Sequence, residues 1–437
     1  MQPQPFILGA GMTGLAAGIA SGLPVFEAAV TPGGICSSYY VRPNQPQRLD
    51  TAPADGEAYQ FENGGGHWIF GGDPTVLHFI QSLTPVSTYH RRSSVYFAVQ
   101  DLYVPFPIQN HLSHLGPEIA ARILTEIVTA PKTTPRTMAD SFRHYFGPTL
   151  TERFFGPFHE LYTAGLWTRL APQDDFKSPV NMALAVQGAF GQGLTAGYNV
   201  TFVYPPAGLN TLARRMAQRA DVRFGCRAVQ VDVNRRAVIF ADGSSRQYSA
   251  LISTLPLNHM LELAGLTLDE APDPHTSVLV LNIGAVKGPK CPADHWLYNP
   301  DATAGFHRVG FYSNVDPFFL PQSARMANDR VSVYVERAYP GGQEPSTQAI
   351  KIYAEAVVAE LQQWQFIGAA EVVDPTWIEV AYTWAWPGST WKAKALRRLQ
   401  EHGIYQVGRY GRWQFQGIAD SIRDGFFVGA GFKQAAD

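Results

Sequence analysis

Four glycine-rich segments hold most of the residues whose type and spacing could do chemistry. The first is Gly9-Ala-Gly11-Met12-Thr13-Gly14, with an apolar run from Pro5 to Leu8 before it and an Ala-rich stretch from Leu15 to Ala20 after it. That context predicts a strand, a tight turn and a helix. In it, Gly9 permits the turn, Gly11 lets backbone approach a pyrophosphate, and Gly14 lets the helix pack close to the strand. The helix start adds unpaired N–H groups and the positive end of a dipole. A second strand, Pro24-Val25-Phe26, ends in Glu27, placed to accept from a ribose hydroxyl. Taken alone, Glu27 reads equally as a surface acid after a strand.

The second segment, Thr31-Pro32-Gly33-Gly34-Ile35-Cys36-Ser37-Ser38, stands where a simple dinucleotide fold would continue with a crossover helix. Gly33 and Gly34 allow close backbone approach and Ser37 offers a hydroxyl. Cys36 reads as a small buried hydrophobe rather than a reactive thiol. The third is Gly64-Gly65-Gly66-His67-Trp68-Ile69-Phe70. Three glycines in a row would weaken a strand or helix, but suit backbone passing beside a flat ligand. The fourth is Gly408-Arg409-Tyr410-Gly411-Arg412-Trp413, closing an apolar strand shortly before a helix from Gly417 to Gly425. An ordinary strand–turn–helix accounts for it equally well.

The elements that must position these residues divide along the chain. Helix is expected at Pro74–Leu83 and a hairpin at Ser94–Val104, then helix across much of 116–220, where aromatic residues cluster. From Val222 the period changes to that of strands, at 222–224, 229–233, 237–240, 248–254, 277–286, 307–312 and 330–335, with a periodic helix over 346–364. The stretch 42–59 reads as a loop, and no internal repeat is visible. The expected division is a nucleotide-binding domain in three pieces (1–90, 206–265, 396–437), an inserted, mostly helical cap or substrate domain with aromatic clusters at 91–205, and a substrate-binding sheet at 266–395.

Composition bounds the function classes. The 437 residues are 46% hydrophobic and 16% charged with a net charge of -2, an ordinary balance for a large core and a poor one for nucleic acid or anionic membrane. No run approaches the length of a membrane span. The start of the chain lacks a basic, apolar leader. Cys36, Cys226 and Cys291 form no CxxC pair. A cytoplasmic enzyme without disulfides is therefore expected. No cluster has metal-ligand spacing, so no metal is expected.

Together, GAGMTGL with Glu27, PGGICSS, GGHWIF, VPFPIQN, FFGPFHELY, YPPAGLNTL, WLYNPDATAGFHRVGFYSN and GRYGRW resemble the UDP-galactopyranose mutase family. More distantly they resemble the amine oxidase and protoporphyrinogen oxidase flavoproteins. The resemblance implies an α/β fold with a Rossmann-like FAD-binding domain of the two-dinucleotide-fold type, an inserted helical domain and an antiparallel-sheet substrate domain. It puts FAD against Gly9, Gly11, Met12, Thr13, Gly14, Glu27, Ala28, Gly33, Gly34, Ser37, Gly65, Gly66, His67, Val229, Gly408, Arg409, Asp420 and Ser421. Substrate is implied at Phe70, Phe106, Gln109, Asn199, Tyr298, Arg308, Trp386 and Phe415, with His67 and Arg308 catalytic. The implied chemistry is a pyranose–furanose isomerisation without net redox change, in which N5 of reduced FAD is the nucleophile at the anomeric carbon of a sugar nucleotide or related glycosyl substrate. The alternatives are an FAD-dependent oxidoreductase acting on a small molecule and a flavin-binding protein without catalysis.

The departures from that family concern the substrate. A second arginine for the diphosphate is missing, and Lys177, beside Asp174 and Asp175, is the nearest cation to its place. Two tyrosines are replaced by Trp386 and Phe415, and a tryptophan is replaced near Thr163. A lost contact to a buried phosphate costs on the order of 1.5–3 kcal/mol. Several bland readings stay open. His67 also reads as a loop histidine bonded to a carbonyl, Arg308 as a strand arginine in a salt bridge, and Tyr298 and Trp296 as core. His307 and Arg308, being adjacent in a strand, are expected to face opposite ways.

Overall fold

The computed structural model describes residues 2–130, 133–173, 181–194 and 200–433. Five short strands form a parallel sheet in the spatial order Val222–Arg223, Val25–Phe26, Phe6–Leu8, Leu251–Ser253 and Ile404–Gln406. Phe6–Leu8 and Leu251–Ser253 are buried throughout, which is why both read as unbroken apolar runs rather than alternations. The strand order reverses between these two, and the reversal leaves a crevice at their carboxyl ends. Gly9 leaves one strand there and Thr254 leaves the other.

Helix Met12–Ser21 starts directly at that crevice. Its outer side carries the C-terminal helix Ile418–Gly431. The two approach closely because Gly425 and Gly429 have no side chains: a Cβ on Gly429 would lie 2.5 Å from the Ala17 carbonyl, and one on Gly425 would run into that of Thr13.

A second, seven-stranded sheet runs in the order Ile367–Thr383, His275–Lys287, Arg330–Pro340, Arg308–Phe311, Trp296–Tyr298, Ser93–Phe97 and Leu102–Pro105. All its pairings are antiparallel except Trp296–Tyr298 with Ser93–Phe97. Its register sets Arg308 between Tyr298 and Glu336. Two of its strands come from the hairpin at 93–105, which the sequence anticipates as a hairpin but which joins this sheet although it lies in the stretch assigned to the insertion.

The rest of that insertion is largely helical. Met138–Leu150 begins in a capping box between Thr137 and Asp140 and is bent at Gly147, with φ 78° and ψ 163°. A π-helical turn, Thr151–Phe155, leads into helix Gly156–Tyr162. Sequence periodicity anticipates helices Pro74–Leu83 and Thr347–Gln363. It does not anticipate strand Ile367–Thr383 or helix Trp391–Glu401. The strand contains Pro375, which reads as a breaker but is tolerated because the strand lies at the sheet edge. Among the described residues no helix is long and apolar enough to cross a membrane, and all three cysteines are free.

Candidate functional site

The crevice opens into a cleft of about 760 Å³ that continues between the seven-stranded sheet and the helical segment. Its first arm is walled by backbone. Gly9, Gly33 and Gly34 have φ of 94°, 110° and 57°, a region that side chains other than glycine seldom enter. Gly33 N–H donates to the Ala10 carbonyl at 2.9 Å, which pins the second glycine segment beside the first. A Cβ on Gly14 would collide with the Gly9 carbonyl, whereas one on Gly11 would meet nothing within 4 Å. Gly14 is thus fixed by packing, whereas Gly11 faces open space in the cleft. No side chain caps helix Met12–Ser21, so its first N–H groups are available to an anion.

At the far end of this arm Glu27 accepts from Ala10 N–H at 2.6 Å and Ala29 N–H at 2.8 Å. The two bonds hold the carboxylate rigidly at the cleft wall, where it retains lone pairs for a hydroxyl. Beneath the arm, the buried Glu62 accepts from Ser38 Oγ at 2.6 Å and from Tyr204 OH. This joins the end of the Gly33–Ser38 segment to the residue just before Asn63 and Gly64. Burial pushes the Glu62 carboxyl up to about 7. Uncapped N–H groups, approachable backbone and a fixed acid together suit a dinucleotide with its pyrophosphate at the helix start.

Charged and polar side chains converge where the two arms meet. His67 lies on the glycine loop against Gly64, and its Nδ1 has no hydrogen-bond partner among the described residues. Burial first, then the nearby Arg409, hold the imidazole down to about 4, so it is neutral near pH 7. Arg409, from the fourth glycine-rich segment, donates to Ala381 O at 3.1 Å and Gln416 O at 3.4 Å. Its guanidinium lies 4.9 Å from the centre of the Phe415 ring.

Arg308 donates through Nε to Glu336 Oε2 at 3.0 Å, again to Glu336 through Nη2, and to Tyr382 OH at 3.3 Å. Burial would raise the Glu336 carboxyl, but the Arg308 guanidinium outweighs it and holds the group down to about 2. His307 also lines the cleft, with Nε2 3.5 Å from Glu336. The expectation that His307 and Arg308 face opposite ways is therefore corrected. Regular alternation begins only at Arg308, and His307 N–H pairs with the Glu336 carbonyl just before the strand.

The second arm is walled by aromatic side chains from the helical segment. Phe142 stacks on Phe155 with centroids 5.0 Å apart, Phe146 on Phe155 at 4.1 Å, and Phe158 on Tyr162 at 5.6 Å. The bend at Gly147 and the π turn at 151–155 bring Phe146, Phe154, Phe155 and Phe158 all to the cleft wall. Phe106 and Tyr298, 4.6 Å apart, close the arm at the junction.

Of the residues singled out in the sequence, Gly9, Gly11, Met12, Thr13, Glu27, Gly33, Gly34, Gly66, His67, Phe70, Phe106, Tyr298, Arg308, Gly408, Arg409, Phe415 and Ser421 line the cleft. Gly14, Ala28, Ser37 and Gly65 lie beside its wall without lining it. Ser37 Oγ accepts from Asn63 Nδ2 at 2.8 Å, and Gly65 backs onto Glu336. Gln109 is buried in the turn Ile108–Asn110, away from the cleft lining. Three further residues stand apart from the lining. Val229 is half exposed on a separate hairpin sheet, at an irregularity between Ala228 and Gln230. Trp386 turns its Nε1 to the Pro272 carbonyl, and Asp420 pairs with Arg423. Asn199, Asp174, Asp175 and Lys177 lie outside the described residues.

The sequence reading missed Glu336 and, within the aromatic clusters of the inserted segment, which rings form the wall. Glu336 had a visible signal, an acid closing the apolar run Val331–Val335. The phenylalanines had none, since aromatic residues at helical spacing make cores as readily as pockets. Among the described residues no group of three or more His, Cys, Asp or Glu side chains is arranged to hold a metal ion.

A family model described as flavin containing amine oxidoreductase matches residues 25–430. The fold is similar to that of reduced UDP-galactopyranose mutase, with a TM-score of 0.82 and 22% identity over 98% of this chain and 95% of that one. A fatty acid isomerase from P. acnes that produces CLA matches with a TM-score of 0.61 and 12% identity over 99% of both chains. Putrescine oxidase bound to putrescine matches with a TM-score of 0.57 and 16% identity over 99% of both. At these identities the likenesses show the fold.

Proposed function

We propose, for a chain that belongs to the flavin-containing amine oxidoreductase family, that FAD lies along the glycine-walled arm and that its reduced form acts on a glycosyl substrate without net redox change. When bound, the flavin supplies N5 as a nucleophile towards an anomeric carbon. The single observation that carries the reading is the convergence of His67, Tyr298 and Arg308 at the junction of the two arms. The uncapped helix start and Gly11 receive the pyrophosphate, and Glu27 the ribose. His67, being neutral, offers a ring nitrogen as acceptor or donor beside the flavin ring. Arg308, held by Glu336 and Tyr382, presents a fixed cation to charge developing on the leaving oxygen. Phe70, Phe106 and Phe415 exclude water around the reacting atoms.

The second reading is an FAD-dependent oxidoreductase acting on a small molecule. The aromatic wall favours it, because that surface offers few groups for sugar hydroxyls. The fold is shared by a mutase, an isomerase and an oxidase, so it accommodates both kinds of chemistry.

The deciding experiment uses FAD-loaded protein, reduced and kept without oxygen or another acceptor. UDP-galactose and 4-nitrophenyl galactoside are supplied separately, and sugar ring forms are followed by NMR. A furanose product from either donor, with the flavin still reduced, is expected. No ring isomer from either, together with bleaching of the oxidised flavin by an aromatic amine and stoichiometric oxygen use on readmission of air, would replace the first reading by the second.

A further inference from the structure

We infer that the second arm of the cleft is a pocket for a flat, largely apolar group, the aromatic part of the small-molecule substrate, and not for a nucleoside diphosphate. The inference rests on the reading that FAD fills the glycine-walled arm, and it holds for either class of reaction at the junction.

Phe142, Tyr145, Phe146, Phe155, Phe158 and Tyr162 supply the wall. Phe155 stacks within 27° of parallel on both Phe142 and Phe146, which are tilted 44° to each other, and Phe158 stacks on Tyr162 at 22°. They present faces and edges that a planar guest can join by offset stacking. A nucleotide needs more than stacking. The edges of its base require donors and acceptors, and leaving them unmatched costs free energy. The polar groups on this wall among the described residues are few: Ser141, the hydroxyls of Tyr145 and Tyr162, Gln173, whose Nε2 donates to Thr383 O at 2.9 Å, and His159, whose Nδ1 lies 2.7 Å from the Phe155 carbonyl.

The phosphates fare no better. Among the described residues the cations lining the cleft are Arg308 and Arg409, and both stand at the Tyr162 end of the aromatic wall, by the junction, rather than along the stack of Phe142, Phe146 and Phe155. Arg308 is paired with Glu336, and Arg409 lies over Phe415 at the junction. A diphosphate drawn into that arm would surrender its hydration without a matching charge among the described residues. The position near Thr163, where the resembled family carries a tryptophan, is also closed. Thr163 is fully buried, accepts from Trp167 N–H at 2.9 Å, and donates to His159 O at 2.7 Å. Its side chain is committed to the helix end rather than offered to a ligand.

The test is calorimetric titration of the FAD-loaded protein with 2-naphthol and, separately, with UDP. Flavin content is measured first by visible absorbance. A protein that neither retains nor takes up FAD would refute the cofactor reading on that measurement alone. With FAD bound, 2-naphthol is expected to bind at least about tenfold tighter than UDP. Phe142→Ala should weaken naphthol binding by about tenfold at unchanged flavin content. Tyr145→Ala, at a more exposed position where loss of folding is less of a risk, should weaken it in the same direction. UDP binding as tightly as naphthol or tighter would overturn the inference. So would absence of naphthol binding, or naphthol affinity indifferent to both substitutions.

Discussion

The glycine-walled arm offers a ligand mainly backbone, and the aromatic arm offers it mainly side chains. In the first, selectivity comes from atoms that are missing: Gly9, Gly33 and Gly34 hold conformations other residues avoid, and Gly11 leaves space. In the second it comes from atoms added by six phenylalanine and tyrosine rings on a bent helix, a π turn and the short helix that follows it. Substitution has opposite consequences in the two. A backbone surface tolerates change only where nothing is added, whereas a side-chain surface can be recut ring by ring while the sheets stay intact. One fold can thereby keep its cofactor and change its substrate.

The junction between the arms should show the largest effect. Arg308→Ala leaves the buried Glu336 carboxylate without its cation, and His307 beside it is held neutral by burial. The expected loss is about 3 kcal/mol of unfolding free energy, at the low end for breaking a buried pair because Arg308 keeps some contact with water. Arg308→Met combined with Glu336→Leu should recover most of it, since both charges then go together. Chemical denaturation of the single and double variants measures this. If the double variant is no more stable than the single, the pair is not what holds the junction.

The same contrast explains what was legible in the sequence. Gly9, Gly11, Gly14 and Glu27 could be assigned because their conformations and spacing have few other uses, and the structure sets all four at or beside one crevice. Phe142, Phe146 and Phe155 could not, because a buried phenylalanine carries the same signal in a core as in a pocket wall. Strand Ile367–Thr383 was hidden by Pro375, Gly368 and charged residues that only an edge position makes tolerable. Glu336 needed the register: nothing in the spacing of 308 and 336 announces that they are opposite one another.

A smaller, pH-dependent effect separates the two arms. Glu62 ties the glycine segments together from below, and among the described residues no comparable acid lies under the aromatic wall. Its carboxyl is raised from 4.5 to about 7 by burial. A raised folded-state value stabilises the fold fully below about pH 4.5, and that contribution is lost as pH rises towards 7. The wild type should therefore lose up to roughly 3 kcal/mol across that window. Glu62→Gln, which keeps an acceptor for Ser38 and Tyr204, should be flatter over the same range. Urea denaturation at the two ends of the window reads the difference directly, because contributions from other groups cancel between variant and wild type. Equal slopes would mean that Glu62 ionises without resistance.

The finest test asks whether the empty space at Gly11 belongs to the fold or to the ligand. Gly11 has φ -70°, open to any residue, and a Cβ there meets nothing within 4 Å. The protein alone gives no reason for glycine at this position. A bound pyrophosphate at the helix start does, because its oxygens would come within contact of that Cβ. Gly11→Ala should leave unfolding in the absence of flavin within about 0.5 kcal/mol of wild type. It should also weaken FAD binding by about tenfold, equivalent to roughly 1.4 kcal/mol. Gly14→Val makes the opposite case, since its side chain would strike the Gly9 carbonyl whether or not flavin is present. If Gly11→Ala instead destabilises the flavin-free protein and leaves FAD affinity alone, the glycine is structural and the pyrophosphate lies elsewhere along the arm.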